Sequence, residues 1–181
     1  YKGDINAQDH QMNSLVHHAF NQGDLQRIEY LANRHINMNL RNNKGHSVLM
    51  EAFFAEINFK TWKFLIDLGS DVSTTDYKNN TLLHFHFMKP DARDDVFRFL
   101  MDKIDYNIEN RDGQFPISIA MKHDEAGFEL LDLNCNILDQ KSIHEPIVEA
   151  LNRKSQKWVE ALFNHGADAM NECAGVISRY I

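Results

Sequence analysis

The chain has only two cysteines, Cys135 and Cys173, with no CxxC spacing. That is too few for a disulfide framework and points to a reducing, intracellular setting. Three prolines and eight glycines in 181 residues exclude a collagen-like or low-complexity chain. No stretch approaches the roughly 18 consecutive apolar residues of a membrane-spanning helix, and no basic-then-apolar leader opens the sequence. No membrane association is expected. There is no GxSxG elbow, no phosphate-cradling G-x-x-x-x-G-K-[ST], no HExxH and no glycine-rich dinucleotide fingerprint. The expectation is a protein that is not an enzyme and needs no cofactor. Positive charge is in deficit, with a net charge of −7 and a pI near 5.8, so the molecule as a whole is not drawn to nucleic acid or anionic lipid.

What is present is an ordinary globular balance, 43% hydrophobic and 25% charged. At about 150 residues per domain the length predicts one domain with a real core. The chain opens on Tyr1 rather than methionine, and a piece of a longer polypeptide is expected.

An internal repeat organises the sequence. Ser14–Ala19, Ser47–Ala52, Thr81–His86, Phe115–Ala120 and Glu145–Ala150 align, with successive starts 33, 34, 34 and 30 residues apart. Each is followed by a second apolar run at helical spacing: Leu25–Ala32, Trp62–Leu68, Val96–Ile104, Phe128–Leu133 and Trp158–Phe163. The period is that of stacked helix pairs, and five copies exceed the minimum of about three that such arrays need. Gly69, Gly166 and Asn134 stand just past second helices, where a left-handed backbone is expected. Gly45, Asn79 and Gly113 stand four places into the polar stretches between copies, where a tight turn needs the same conformation.

These features resemble the ankyrin repeat family over nearly the whole chain. Thr81-Leu82-Leu83-His84 is close to that family's T-P-L-H helix start, and Pro116 and Pro146 fall on its proline. Gly69-Ser70-Asp71-Val72 and Gly166-Ala167-Asp168 match its helix end, and Gly3-Asp4-Ile5-Asn6-Ala7-Gln8-Asp9 is similar to the end of an earlier repeat. The resemblance implies an all-α solenoid of helix-turn-helix units with hairpin fingers. It places repeats at approximately 9–41, 42–75, 76–109, 110–139 and 140–172, after a repeat tail at 1–8 and before a cap or next helix at 173–181. The register between about 120 and 145 is ambiguous.

Ser14, Ser47 and Thr81 are expected to cap the first helices, and Pro116 and Pro146 to start theirs without such a cap. The resemblance implies that His17 and His84 tie adjacent fingers by hydrogen bonds, which Met50, Ser118 and Val148 cannot all do. His17-His18 and His84-Phe85-His86 are the nearest approach to a metal site. Adjacent and alternate helical residues do not share a face, so no metal is expected there. Cys135 replaces a small helix-end residue and reads as structural, and Asp94-Asp95 reads as the solvated start of an outer helix.

The resemblance also implies a recognition surface: turn tips and first-helix ends lining a concave face. That row holds Lys44, Lys78, Lys89, Arg111, Lys122, Lys141 and Arg153 against Asp112, a formal +6, which leaves −13 for the rest of a chain totalling −7. The candidate partner-binding residues are Phe54, Tyr77, Lys78, Met88, Lys89, Arg111, Lys122 and His123. Phe54 and Met88 also fit packing against the next repeat. The expected function is a non-enzymatic, monomeric module that binds an acidic segment of another protein, with Tyr77, Phe54 and Met88 as anchors. The alternative is a regulatory or substrate-recruiting domain of an enzyme whose catalytic part lies outside this chain. No nucleic-acid role is expected, because there is no aromatic ladder for base stacking. Richness in Asn and His, with many departures from consensus, resembles the diverged ankyrin proteins of intracellular bacteria and large DNA viruses, which implies a host-directed effector in the host cytosol.

Overall fold

The computed structural model describes residues 3–89, 94–105, 107–121, 150 and 155–164. The second run Phe128–Leu133, the residues Asn134, Cys135, Gly166 and Cys173, and the candidates Lys122 and His123 lie outside them. The elements are all helical: α1 Leu15–Asn21, α2 Leu25–Ala32, α3 Val48–Phe54, α4 Phe59–Asp67, α5 Leu82–Met88, α6 Asp94–Met101, α7 Pro116–Ala120 and α8 Gln156–Asn164. Among the described residues no strand forms, and the sole β-type pairing is an isolated antiparallel bridge between Gln8 and Ser14.

Local chemistry sets where the helices begin. The Ser47 hydroxyl accepts from Met50 N–H at the start of α3. Asn58 accepts from Thr61 N–H at 2.9 Å, so α4 opens at Phe59, three residues ahead of the apolar run that marks it in the sequence. Helix α7 starts on Pro116 with no side-chain cap from Phe115, as expected. Ser14 is the N-cap of α1 in a reciprocal arrangement: its side chain faces the His17 N–H, while His17 Nδ1 accepts from the Ser14 N–H at 3.2 Å and lies 2.9 Å from the Ser14 hydroxyl. A ring nitrogen receiving an N–H carries a lone pair, so the His17 proton sits on Nε2, which donates to the His46 carbonyl at 3.1 Å. His84 Nε2 meets the Gln114 carbonyl at 3.0 Å, one finger further along. Met50 occupies the equivalent place between them and fills it with fully buried apolar bulk.

The contacts divide the chain into two compact units. In the first, which runs to Leu82 and takes in Asp94–Ile104, α1 packs on α2, α3 on α4, and α1 on α3. Its core holds Val16, Ala19, Ile28, Leu49, Met50, Trp62, Leu65 and Leu100. Trp62 meets Phe59 in a stacked arrangement and Phe99 edge-on at 5.7 Å, and its indole N–H donates to the Leu49 carbonyl at 3.3 Å. An aromatic body with a satisfied polar tip is the form in which tryptophan buries well. In the second unit, which takes in α5 from Leu83 to Met88 and the described residues from Asp105 onward, Leu83, Phe87, Ile117, Ile119, Met121 and Trp158 are buried.

Candidate interaction surface

The segments ahead of α1, α3, α5 and α7 are four fingers of one design. Each opens with a carboxylate or amide oxygen that accepts from the N–H two residues on: Asp4 from Asn6, Asn37 from Asn39, Asp71 from Ser73 and Asp105 from Asn107, at 2.8 to 2.9 Å. Each then turns about a second such residue. Asp9, Asn42, Asp76 and Asn110 use Oδ1 to accept from the N–H groups two and four residues ahead, at 2.7 to 3.1 Å. A backbone pair closes the turn, as Asp76 N–H donates to the Asn80 carbonyl and Asn79 N–H to the Asp76 carbonyl. This geometry forces the residue three places after the anchor into the left-handed region. Gly45, Asn79 and Gly113 adopt it as expected, and Met12 adopts it in the first finger with φ 59°.

The fingers are tied to one another by side chains. Gln8 donates to the Arg41 carbonyl at 2.9 Å, and Arg41 in turn donates through Nη1 to the Thr75 carbonyl at 3.0 Å. That bond holds the Arg41 guanidinium 5.1 Å from the centroid of the Tyr77 ring. Gly45 also borders Tyr77, and its missing side chain leaves the space the Tyr77 backbone and ring occupy. Tyr77 is therefore a positioned ring at a finger tip, still 42% exposed. Lys78 beside it is exposed, and among the described residues neither Lys78 nor Arg41 has an acidic partner.

Other candidates in the first unit are less free. Phe54 is half-buried, its ring 4.7 Å from the His46 ring and edge-on to Phe53, which is the packing role. His46 Nδ1 faces Glu51 Oε1 at 3.1 Å, Asn42 donates to the same oxygen at 2.8 Å, and Lys44 Nζ lies 3.8 Å from it. Burial alone would raise the Glu51 carboxyl, but the Asn42 and His46 hydrogen bonds and the Lys44 charge outweigh it and hold the group below the ordinary glutamate range. The Lys44 charge is thus partly offset by Glu51 of α3. Asn80, which closes the third finger, is buried against the Asp76 carboxylate.

In the second unit Met88 and Arg111 are exposed and Lys89 is half-buried. The histidines go separate ways. His17 faces the next finger and His18 pairs with Asp9 at 2.9 Å, while His84 is held by Gln114. Among the described residues no group of three or more His, Cys, Asp or Glu gathers as a metal ion requires. No described helix is long and apolar enough to cross a membrane.

Compared with solved structures, the chain is similar to the ankyrin repeat domain of Bcl-3, described as a unique member of the IkappaB protein family. The TM-score is 0.63 at 22% identity, over 87% of this chain and 74% of that one. The fold is the ankyrin repeat fold. No family model matches the sequence, and no curated protein does. The ankyrin frame explains why one turn geometry recurs at a constant period. Each unit is a helix pair and a finger that neighbours must cover. Sequence reasoning missed the anchors Asp9, Asn42, Asp76 and Asn110, although their shared period of 33 to 34 was there to find.

Proposed function

We propose that the chain is a non-enzymatic protein-binding module whose first unit takes an acidic segment of a partner protein across its finger tips, with Tyr77 as the anchor. The observation that carries this is the setting of Tyr77: an exposed ring fixed by Arg41 and the Gly45 backbone, beside a lysine that has no acidic partner among the described residues. A ring already held in place loses little conformational freedom on binding, and binding energy concentrates in such aromatic and arginine positions. Arg41 uses one of its donors on Thr75, which leaves the rest for a carboxylate. Lys78 steers the same charge. Phe54 supports the surface from behind. On the second unit the same reading assigns contacts to Met88, Lys89 and Arg111. The ankyrin fold supports the reading as a scaffold that typically binds proteins and is not itself an enzyme.

The test is affinity capture from lysate with the parent chain and with a Tyr77→Ala, Lys78→Glu variant shown to melt like the parent. The expected result is a partner that carries an acidic run, is held by the parent, is lost by the variant and is released by raised salt. A partner held equally by both chains overturns the placement of the site.

A further inference from the structure

The second finger holds a charge arrangement that the other described fingers do not repeat. Glu51 stands four residues after Ser47, where the other pairs place His18, Phe85 and Ile119. Its Oε1 accepts from Asn42 Nδ2 at 2.8 Å, faces His46 Nδ1 at 3.1 Å and lies 3.8 Å from Lys44 Nζ. The Glu51 and His46 side chains are 19% and 16% exposed, whereas that of Lys44 is 67% exposed. One largely buried carboxylate thus meets an imidazole and an ammonium from the same finger.

The chemistry of the three groups makes this arrangement conditional. An ionised carboxylate only accepts, so the neutral His46 ring carries its proton on Nδ1, and a second proton enters at Nε2. Imidazole is the side chain whose charge changes between about pH 5 and 8. Glu51 stays ionised across that range, since its hydrogen bonds and the Lys44 charge hold its pKa below 4.5. With His46 neutral, Lys44 is the cation that balances Glu51. With His46 charged, the ring stands closer to the carboxylate than the ammonium does and takes over the balance. His17 of α1 also meets this residue: its Nε2 donates to the His46 carbonyl, and its own burial opposes its protonation. Behind it, His18 and Asp9 pair at 2.9 Å.

From this geometry we infer that His46 is a proton-operated switch on the acidic-partner site: its protonation occupies the Glu51 carboxylate and leaves the Lys44 charge for the partner. The inference rests on the partner-binding reading and adds its regulation. The switch lies beside the anchor, because Lys44 and His46 flank Gly45, the residue that borders the Tyr77 backbone and ring. Acidification therefore adds one positive charge to the face that carries Tyr77 and Lys78, and a bound acidic segment in turn favours the charged ring.

The test follows a rhodamine-labelled oligo-aspartate peptide by fluorescence anisotropy at pH 7.5 and 5.5, at constant ionic strength and at a temperature where every chain is folded at both pH values. His46→Asn is the deciding variant. Asn13 and Asn80 hold the same place in the first and third fingers, and an amide donates to Glu51 without titrating. The parent is expected to bind about threefold more tightly at pH 5.5, the effect of one added charge at several ångströms in water. His46→Asn keeps the affinity of pH 7.5 and loses the gain, whereas Glu51→Gln raises the affinity at pH 7.5 to that of the parent at pH 5.5. A parent that binds equally at both pH values overturns the inference. So does an undiminished gain in His46→Asn, which would assign it to other histidines such as His10 at the first tip. A peptide that the parent does not bind at either pH, or that the Tyr77→Ala, Lys78→Glu variant binds equally well, overturns the reading of the site and the inference with it.

Discussion

A Cβ on Gly45 would stand 2.6 Å from the backbone nitrogen of Tyr77 and 3.0 Å from two carbons of its ring. Contacts of 2.6 Å to backbone are not relieved by a rotamer change. Gly45→Ala therefore combines left-handed strain, at φ 85°, with a clash between fingers. Gly23, at φ 70°, has nothing within 4 Å of its Cβ position and suffers the strain alone. Chemical denaturation should show Gly23→Ala costing roughly 1 kcal/mol and Gly45→Ala costing more than about 2 kcal/mol. Equal losses would mean that the Gly45 and Tyr77 fingers move apart easily.

Tyr77→Ala should weaken partner binding by about 2 kcal/mol, roughly thirtyfold. The thermal midpoint should change little, because the ring is exposed and its removal leaves no buried cavity. Titration calorimetry with the captured partner reads the first quantity and scanning calorimetry the second. A large fall in midpoint with unchanged affinity would make Tyr77 a packing residue.

Burial lowers the pKa of His17 below 6.5, against the opposing pull of the His46 carbonyl and the Glu51 charge. The unfolded chain then binds more protons than the folded one as pH falls past 6.5, so stability rises with pH through that window and is lost on acidification. The protonated ring would also turn an N–H on Nδ1 against the Ser14 N–H. Asp9 and Glu51, whose pKa values are lowered, add losses of the same sign only further down, below 3.8 and 4.5. Thermal midpoints between pH 7 and 5 should fall in the parent and fall less in His17→Gln, which keeps a donor for His46. Identical slopes would remove His17 as the cause.

Met12 is the one left-handed finger residue with a long, flexible side chain, and that side chain is exposed. Met12→Gly should stabilise the chain by about 1 kcal/mol, the relief of strain exceeding the entropy glycine adds to the unfolded state. Urea midpoints of the two proteins decide it, and an unchanged or lowered midpoint would show the Met12 side chain contributing more than its exposure suggests.

The helices were legible because their signals are local. Ser47 caps its own helix, Pro116 starts its own, and the apolar runs from Leu25 and Val48 need no partner to be recognised. Gly45, Asn79 and Gly113 announced the turns for the same reason. The surface was harder to read, since it depends on residues about 34 positions apart. Nothing next to Arg41 in the sequence says that it reaches Thr75 and lies over Tyr77, and nothing next to His46 or Asn80 says that they turn inward to Glu51 and Asp76. A row of polar tips therefore looked more uniform in the sequence than it is in space.

The anchors Asp9, Asn42, Asp76 and Asn110 close each finger with bonds to backbone N–H groups, and so without reference to what the tip side chains are. The pairs His10-Gln11, Asn43-Lys44, Tyr77-Lys78 and Arg111-Asp112 thus ride on the same backbone turn with different side chains. The closing bonds fix the path of each tip and leave its side-chain chemistry free to differ from finger to finger.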